Sequence, residues 1–442
     1  VEVNKDTQKI KVFKKKALSL YVLVRITINN QQQINMKVAL LAASLAASLS
    51  CHGQTRNEIL LKKWDFSRDK VNWKQVTVPH DWAIDGPFDK KWDIQYLAIV
   101  QDGQERPIEH TARSGGLPWI GEGNYKTTFN IKKGTKHAQL YFDGAMSEPI
   151  VKVNGKEVGR WMYGYNAFRL NITPYIKDGE NSVEVHLNNL EESSRWYPGA
   201  GLYRPVKLIT TNESRIDEWE TYFKTVSANH QKALLKVDTR IEDGNALKNL
   251  TTKIELLDAQ GKQVATGQQK INHQGAASFN LEVTNPHLWD IDTPYLYTLK
   301  TTLLKGKKAI DQTTTKVGIR TIDVSKEYGF RLNGKSLKFK GVCLHHDLGA
   351  LGAALNKTAV IRQIEMMKKM GVNAIRTSHN MPSQMQMDVC DSLGMMVMAE
   401  SFDAWKDLKV KNGYGRIYDE WWRKDLENLI KGHRNHPSIV MW

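Results

Sequence analysis

Cysteine is almost missing from the chain. Cys51, Cys343 and Cys390 are its three, too few and too widely spaced for a disulfide framework or a paired-cysteine metal site. Cys343 falls in an expected strand and Cys390 in an expected helix, so both read as small buried hydrophobes. No HExxH helix and no glycine-rich phosphate turn is present, which argues against the common zinc hydrolases and dinucleotide-binding sheets. Blocks of Lys and Arg are also absent, despite a formal net charge of +16. Residues 1–35 carry seven basic side chains against Glu2 and Asp6, a net +5 outside any recognisable fold, and the remaining +11 is dispersed. A dispersed charge with no RNP-type or zinc-type motif is a solvated basic surface, and no nucleic-acid partner is expected.

Long apolar runs are scarce as well. Val38–Leu49 holds twelve apolar or small residues, too few to span a bilayer. Preceded by Met36 and Lys37 and leading to Cys51, the segment 36–51 reads as a secretory signal with a lipoprotein-type processing site, although Ser48 stands where leucine is usual. The expectation is an exported protein, periplasmic or an outer-membrane lipoprotein of a bacterium, with a lipid anchor through Cys51. Residues 1–35 contain no Met and read as an upstream extension, expected to be disordered.

What the chain does have is strand patterning followed by strand–helix alternation. Within 55–212, short runs such as Gln75–Val78, Gly123–Ile131, Ala138–Phe142, Ile150–Val153, Asn166–Leu170, Ser182–Leu187 and Val206–Ile209 alternate in period two. They are punctuated by turns such as Asn154-Gly155, and an antiparallel sandwich follows. A second set over 213–324 (Leu234–Ile241, Leu250–Leu257, Ala277–Val283, Tyr295–Leu304, Lys316–Thr321) fits an immunoglobulin-like sandwich. From 325 to 442 the unit changes. Phe339–Leu344, Val372–Arg376, Met395–Ala399 and Ile439–Trp442 read as buried strands, separated by helices over Thr358–Met370, Ser383–Leu393 and Tyr418–Lys431. Such alternation means a parallel sheet. Without a phosphate turn, a (β/α)8 barrel is favoured over an open doubly wound sheet, and four strands are half of one.

Barrel active sites lie just past the C-terminal strand ends. Those positions hold His345, His346 and Asp347 after the first strand, Arg376, Thr377, Ser378, His379 and Asn380 after the second, and Glu400, Asp403 and Trp405 after the third. Singly, each has a structural explanation: Arg376 pairing with Glu400, Trp405 packing in a core, a strand-end His held by hydrogen bonds. Their recurrence at three consecutive strand ends points to a site. Directional donors and acceptors beside an indole suit a polyhydroxylated ring. Zinc is the rival for the two histidines, but adjacent residues on an extended segment point to opposite sides.

Arg434-Asn435-His436-Pro437-Ser438-Ile439-Val440-Met441-Trp442 closely resembles a signature of glycoside hydrolase family 2. So do Asn373-Ala374-Ile375-Arg376-Thr377-Ser378-His379 with Asp391-Ser392-Leu393-Gly394, and Phe330-Arg331-Leu332-Asn333-Gly334-Lys335 with Gly341-Val342-Cys343-Leu344-His345-His346-Asp347. Upstream, Pro79-His80-Asp81-Trp82, Arg195-Trp196-Tyr197-Pro198-Gly199 and Pro286-His287-Leu288-Trp289 agree with it. The resemblance implies a jelly-roll sugar-binding domain, an immunoglobulin-like domain and a TIM barrel. It also implies a retaining β-glycosidase most like bacterial β-galactosidases, acting on a β-galactoside-containing oligo- or polysaccharide with no cofactor. β-Glucuronidase, β-mannosidase and a carbohydrate-binding protein without catalysis are the alternatives.

By motif position, His345 and His379 contact the sugar and Arg376 organises the site, with His346, Asn380, Glu400, Asp403 and Trp405 around it. Arg195 and Trp196 reach in from the sugar-binding domain. Asn380-Met381 stands where many members have Tyr-Pro, and the Glu-x-His metal pair of some members is missing after Glu400; no metal is expected. A retaining enzyme needs two carboxyl groups about 5–5.5 Å apart. In the family both are glutamates placed beyond the position of Trp442, so Glu400 and Asp403 are not that pair. The polypeptide of 442 residues is expected to be inactive.

Overall fold

The structure is a computed structural model that describes residues 56–92, 118–242, 247 and 249–442. The expected leader, the Cys51 anchor and the upstream extension lie outside the described residues. Among those described, no helix is long and apolar enough to cross a membrane.

Alternating apolar residues build the first domain. A six-stranded sheet runs in the order Lys74–Thr77, Lys63–Ser67, Glu122–Ile131, Gly179–Asn188, Ile150–Val153, Lys156–Arg160. It faces a four-stranded sheet of Asn57–Leu60, Val206–Thr211, His137–Phe142 and Phe168–Asn171. Trp64, Phe66, Trp82, Tyr125, Leu140 and Phe142 share the core between them. Asn154 and Gly155 both have positive φ, +49° and +78°, as a two-residue hairpin turn requires.

The second domain pairs Lys232–Glu242 with Tyr222–Ala228 and Ala276–Thr284, and packs that sheet on Gln263–Lys270, Leu250–Leu257, Tyr297–Lys305 and Lys308–Val317. The strand expected at Lys316–Thr321 is instead Lys308–Val317. Its polar sequence, KAIDQTTTKV, hides it because it lies at the sheet edge with one face in solvent. Gln263–Lys270, another edge strand, has its apolar residues Val264 and Ala265 side by side and so carries no alternation.

The third part is a parallel sheet in sequence order: β1 (Gly341–Leu344), β2 (Ala374–Thr377), β3 (Met396–Met398) and β4 (Ile439–Met441). It is connected by α1 (Lys357–Lys369), α2 (Gln384–Leu393) and α3 (Tyr418–His433). A small antiparallel sheet of Ile322–Ser325, Gly329–Leu332 and Lys335–Ser336 precedes β1. The fold is thus a jelly-roll sandwich, an immunoglobulin-like sandwich and four strands of a (β/α)8 barrel.

Local signals set the helix ends. The Asn356 side chain accepts from Ala359 N at 3.0 Å and the Ser383 side chain from Gln386 N at 3.1 Å, relieving the orphan donors of α1 and α2. α2 stops at Gly394, where φ is +72° and ψ +54°, the left-handed cap that glycine adopts without penalty. In α3, Trp421, Asp425, Leu429 and His433 recur every fourth residue and form its buried face. Val360, Ile364, Ile375, Met387, Val389, Cys390 and Val397 fill the layer between helices and sheet. Cys390 is buried as expected; Cys343 is exposed, a correction. Cys343 lies in register with Arg376, on the exposed positions of β1 and β2, so strand alternation turns it away from the helix layer.

Candidate functional site

The strand ends converge. The backbone N–H of Glu400 donates to the Thr377 hydroxyl at 3.0 Å, fixing the loop after β3 against β2. Arg376 Nε donates to one oxygen of Glu400, and His379 Nδ1 stands 2.9 Å from the other. The carboxylate can only accept, so Nδ1 carries a proton toward it. Burial alone would raise the Glu400 carboxyl, but the hydrogen bonds from His379 and Arg376 outweigh it and hold the group below the usual range. A carboxylate clamped in this way is a poor proton donor near neutrality.

The jelly-roll domain supplies the neighbouring side chains. Trp196 stacks on His345, with ring centroids 5.0 Å apart and 14° between planes, and meets His379 edge-on at 5.9 Å. His345 Nδ1 lies 2.6 Å from the Ser378 carbonyl and donates to it. Arg195 grips Asp403 with two hydrogen bonds, Nε at 2.9 Å and Nη2 at 2.5 Å; Lys409 adds a third at 3.2 Å. Burial would raise the Asp403 carboxyl, yet Arg195 and then Lys409 bring it below its ordinary value. An open cleft of about 1610 Å³ is lined by Arg376, His379, Glu400, Asp403, Trp405 and Lys409. Trp405 is 54% exposed and offers an indole face to a ring.

Two of the expected residues sit deeper. His346 packs edge-on to Tyr165 and Tyr203 and places Nε2 3.0 Å from the Pro198 carbonyl. Burial pushes its pKa down to about 3, so the ring is neutral. Asn380 is 2% exposed. Neither lines the cleft, and nor do His345, Arg195 and Trp196; His346 joins the barrel to the jelly-roll domain through Pro198, Tyr165 and Tyr203.

That junction contains residues whose roles the sequence does not announce. The buried Arg204 guanidinium donates to the carbonyls of Asp143 and Tyr165 in its own domain and of Met381 in the loop that carries His379. Asp81, also buried, accepts from Ala83 N, Ala200 N, Tyr197 Oη and, in the barrel, Ala353 N. Asp425 of α3 accepts from Trp161 and Asn166. The signature before β4 is also a clamp. Arg434 and Asn435 donate to the Trp219 and Thr221 carbonyls of the second domain. His436 and Ser438 N bind the Asp391 carboxylate. Asp388, Asp391 and His436 stand close enough to hold a cation, but Asp391 is already taken up by those two hydrogen bonds.

Two β-sandwiches pack on parallel strands, and a clamped carboxylate, histidines and indoles gather at the strand ends, where a (β/α)8 barrel carries its site. Comparison with known proteins gives the family. Residues 58–212 match the sugar binding domain of glycosyl hydrolases family 2, residues 214–320 match glycosyl hydrolases family 2, and residues 322–442 match that family's TIM barrel domain. The chain is 39% identical over 380 residues to the beta-galactosidase BoGH2A of Bacteroides ovatus, covering 84% of this chain and 43% of that one. It is 38% identical over 391 residues to a putative beta-glucuronidase of Formosa agariphila, covering 87% and 36%. A crystal structure of a glycosyl hydrolase family 2 member from Bacteroides cellulosilyticus superposes with a TM-score of 0.80 at 33% identity, covering 88% of this chain and 51% of that one. The chain belongs to glycoside hydrolase family 2. It spans less than half the length of these two curated relatives.

Proposed function

We propose that residues 56–442 form the sugar-holding part of a retaining β-glycosidase acting on terminal β-D-galactosides. The observation that carries this reading is the strand-end cluster, in which Glu400 orients both His379 and Arg376, near His345 stacked on Trp196. Oriented polar groups around one ring position match hydroxyls, and the Trp405 indole matches the C–H surface of a pyranose. The beta-galactosidase relative supports galactoside as the sugar. The beta-glucuronidase relatives favour a second reading, a β-glucuronide.

By family position, the acid/base and nucleophile glutamates fall beyond Trp442. A polypeptide of residues 1–442 is therefore expected to bind sugar without turning it over, Glu400 and Asp403 being held as charged structural carboxylates. Titration of that polypeptide with methyl β-D-galactoside and methyl β-D-glucuronide, read by tryptophan fluorescence, tests the sugar; tighter binding of the glucuronide overturns the first reading. Measurable hydrolysis of an aryl β-galactoside by the pure polypeptide overturns the placing of the glutamates. Export with an acyl chain on Cys51 is part of the same proposal, and radiolabelled palmitate that fails to enter the protein in a bacterial host counts against it.

A further inference from the structure

The second domain meets β4 at its start, the end opposite the cleft. Just past the strand Lys308–Val317, Gly318 lies against the turn that opens β4, where a Cβ would stand 2.6 Å from Pro437 Cβ. That close approach brings Arg320 onto the strand itself. Its Nε donates to the Pro437 carbonyl and its Nη2 to the Ile439 carbonyl at 2.7 Å, so one planar fork grips two carbonyls at once. Burial lowers the Arg320 pKa to about 10 against the attraction of Asp391. The guanidinium is therefore charged at neutral pH, and both bonds are charge-assisted. Arg434 and Asn435 also bind the second domain, but they lie in the turn before β4, whereas Arg320 reaches into β4.

β4 in turn carries β3. Val397 N donates to the Ser438 carbonyl at 2.8 Å and Ala399 N to the Met441 carbonyl at 3.0 Å. Ala399 precedes Glu400, which orients Arg376 and His379, and Trp442, next after Met441, lines the cleft. A strand rises about 3.3 Å per residue, so a slip of β4 by a third of a residue moves these groups by about 1 Å. The Met396 amide faces the other way and donates to the Asn373 carbonyl at 3.0 Å, on the β2 side.

We infer that Arg320 is a positioning residue for the cleft: from the second domain it fixes the height of β4 and, through the hydrogen bonds between β4 and β3, the place of Glu400. The inference rests on the proposed sugar-binding reading of the cleft and gives the second domain a part in it.

The test uses the polypeptide of residues 1–442 with Arg320→Met, which removes both donors, and Arg320→Lys, which keeps the charge without the fork. Amide hydrogen exchange, followed residue by residue, needs no ligand. In Arg320→Met the Val397 and Ala399 amides are expected to exchange about tenfold faster, with Met396 within about threefold of wild type and Arg320→Lys intermediate. All three amides quickened alike, as a generally loosened chain would give, overturns the inference, and so does no change at any of them. Sugar affinity by calorimetric titration is expected to fall about fivefold in Arg320→Met, but less than about twofold when the same change is made on Glu400→Gln, because the route then ends at a group already lost. Equal losses in the two backgrounds overturn it. Circular dichroism checks folding, and Arg320→Lys stands in for both measurements where Arg320→Met does not fold. A wild-type chain that binds neither methyl β-D-galactoside nor methyl β-D-glucuronide overturns the cleft reading, and the exchange result alone then decides whether Arg320 sets β4.

Discussion

Arg204→Met removes the guanidinium that holds the His379 loop against the sugar-binding domain. The Arg204 side chain is fully buried and bonded only to carbonyls: Tyr165 O at 2.9 Å, Asp143 O at 3.2 Å, Met381 O at 2.9 Å and, at the long limit of 3.4 Å, Pro382 O. Gly144 leaves room for it, since a Cβ there would stand 2.9 Å from Arg204 Cδ. Methionine fills similar space but donates nothing. Three well-made bonds disappear and their carbonyls stay buried, at about 1–3 kcal/mol each, offset by several kcal/mol no longer spent on burying a charge. A net loss of about 3 kcal/mol remains, which raises the open population of the junction roughly a hundredfold. In a chain of several domains a single unfolding free energy is ill-defined. The measurement is therefore amide hydrogen exchange over residues 377–387, with residues 232–242 of the second domain as internal control. Protection over 377–387 is expected to fall about a hundredfold, and sugar affinity with it, because His379 sits on that loop. Protection unchanged within threefold, with native circular dichroism, would refute the assignment of Arg204 as the clamp.

The other predictions concern single groups. Asp425 is buried and its pKa is pushed up to about 6, chiefly by desolvation against the hydrogen bonds of Tyr414, Asn166 and Trp161. A native pKa above the unfolded value means that the folded form binds the proton more tightly. Its stabilising contribution is full below about pH 4 and is lost as pH rises through 6, at most about 3 kcal/mol. Asp425→Asn should flatten thermal stability between pH 4 and 7 relative to wild type, and an unchanged pH dependence would count against it. Gly394→Ala places a Cβ 2.3 Å from the Ile291 carbonyl at a φ of +72°. Both strain and clash apply, at about 2–4 kcal/mol, and amide exchange over residues 384–393 is expected to quicken about thirtyfold or more. Glu400→Gln removes the anion that fixes Arg376 and His379; sugar affinity should fall about tenfold or more, and equal affinity by titration would show that neither side chain meets the ligand.

The helices of the barrel were readable from the apolar spacing on their inner faces, whereas the Asn356 and Ser383 caps and the left-handed Gly394 stop emerged with the structure. Strands with one buried face were equally plain. Edge strands such as Gln263–Lys270 and Lys308–Val317 were missed, or placed too late, because nothing buries an alternating set of their side chains. The pairing of Arg376 with Glu400 was foreseeable from neighbouring parallel strand ends. Arg195, Trp196, Asp403 and His345 were all visible as candidates, but the pairing of Arg195 with Asp403 and of Trp196 with His345 was not. Arg204, Asp81 and Asp425 carried no local signal of the junction they hold.

The sequence alone determined the order of the layers, the helices and the polar character of three strand ends, since each depends on residues within a few positions of one another. Tertiary structure decided which of those polar residues face the cleft and which lie beneath it. Arg195 meets Asp403 across 208 residues and Asp81 meets Ala353 N across 272. A carboxylate or a ring in a sequence states what it can bind, and only the packing of two domains brings the partner within reach.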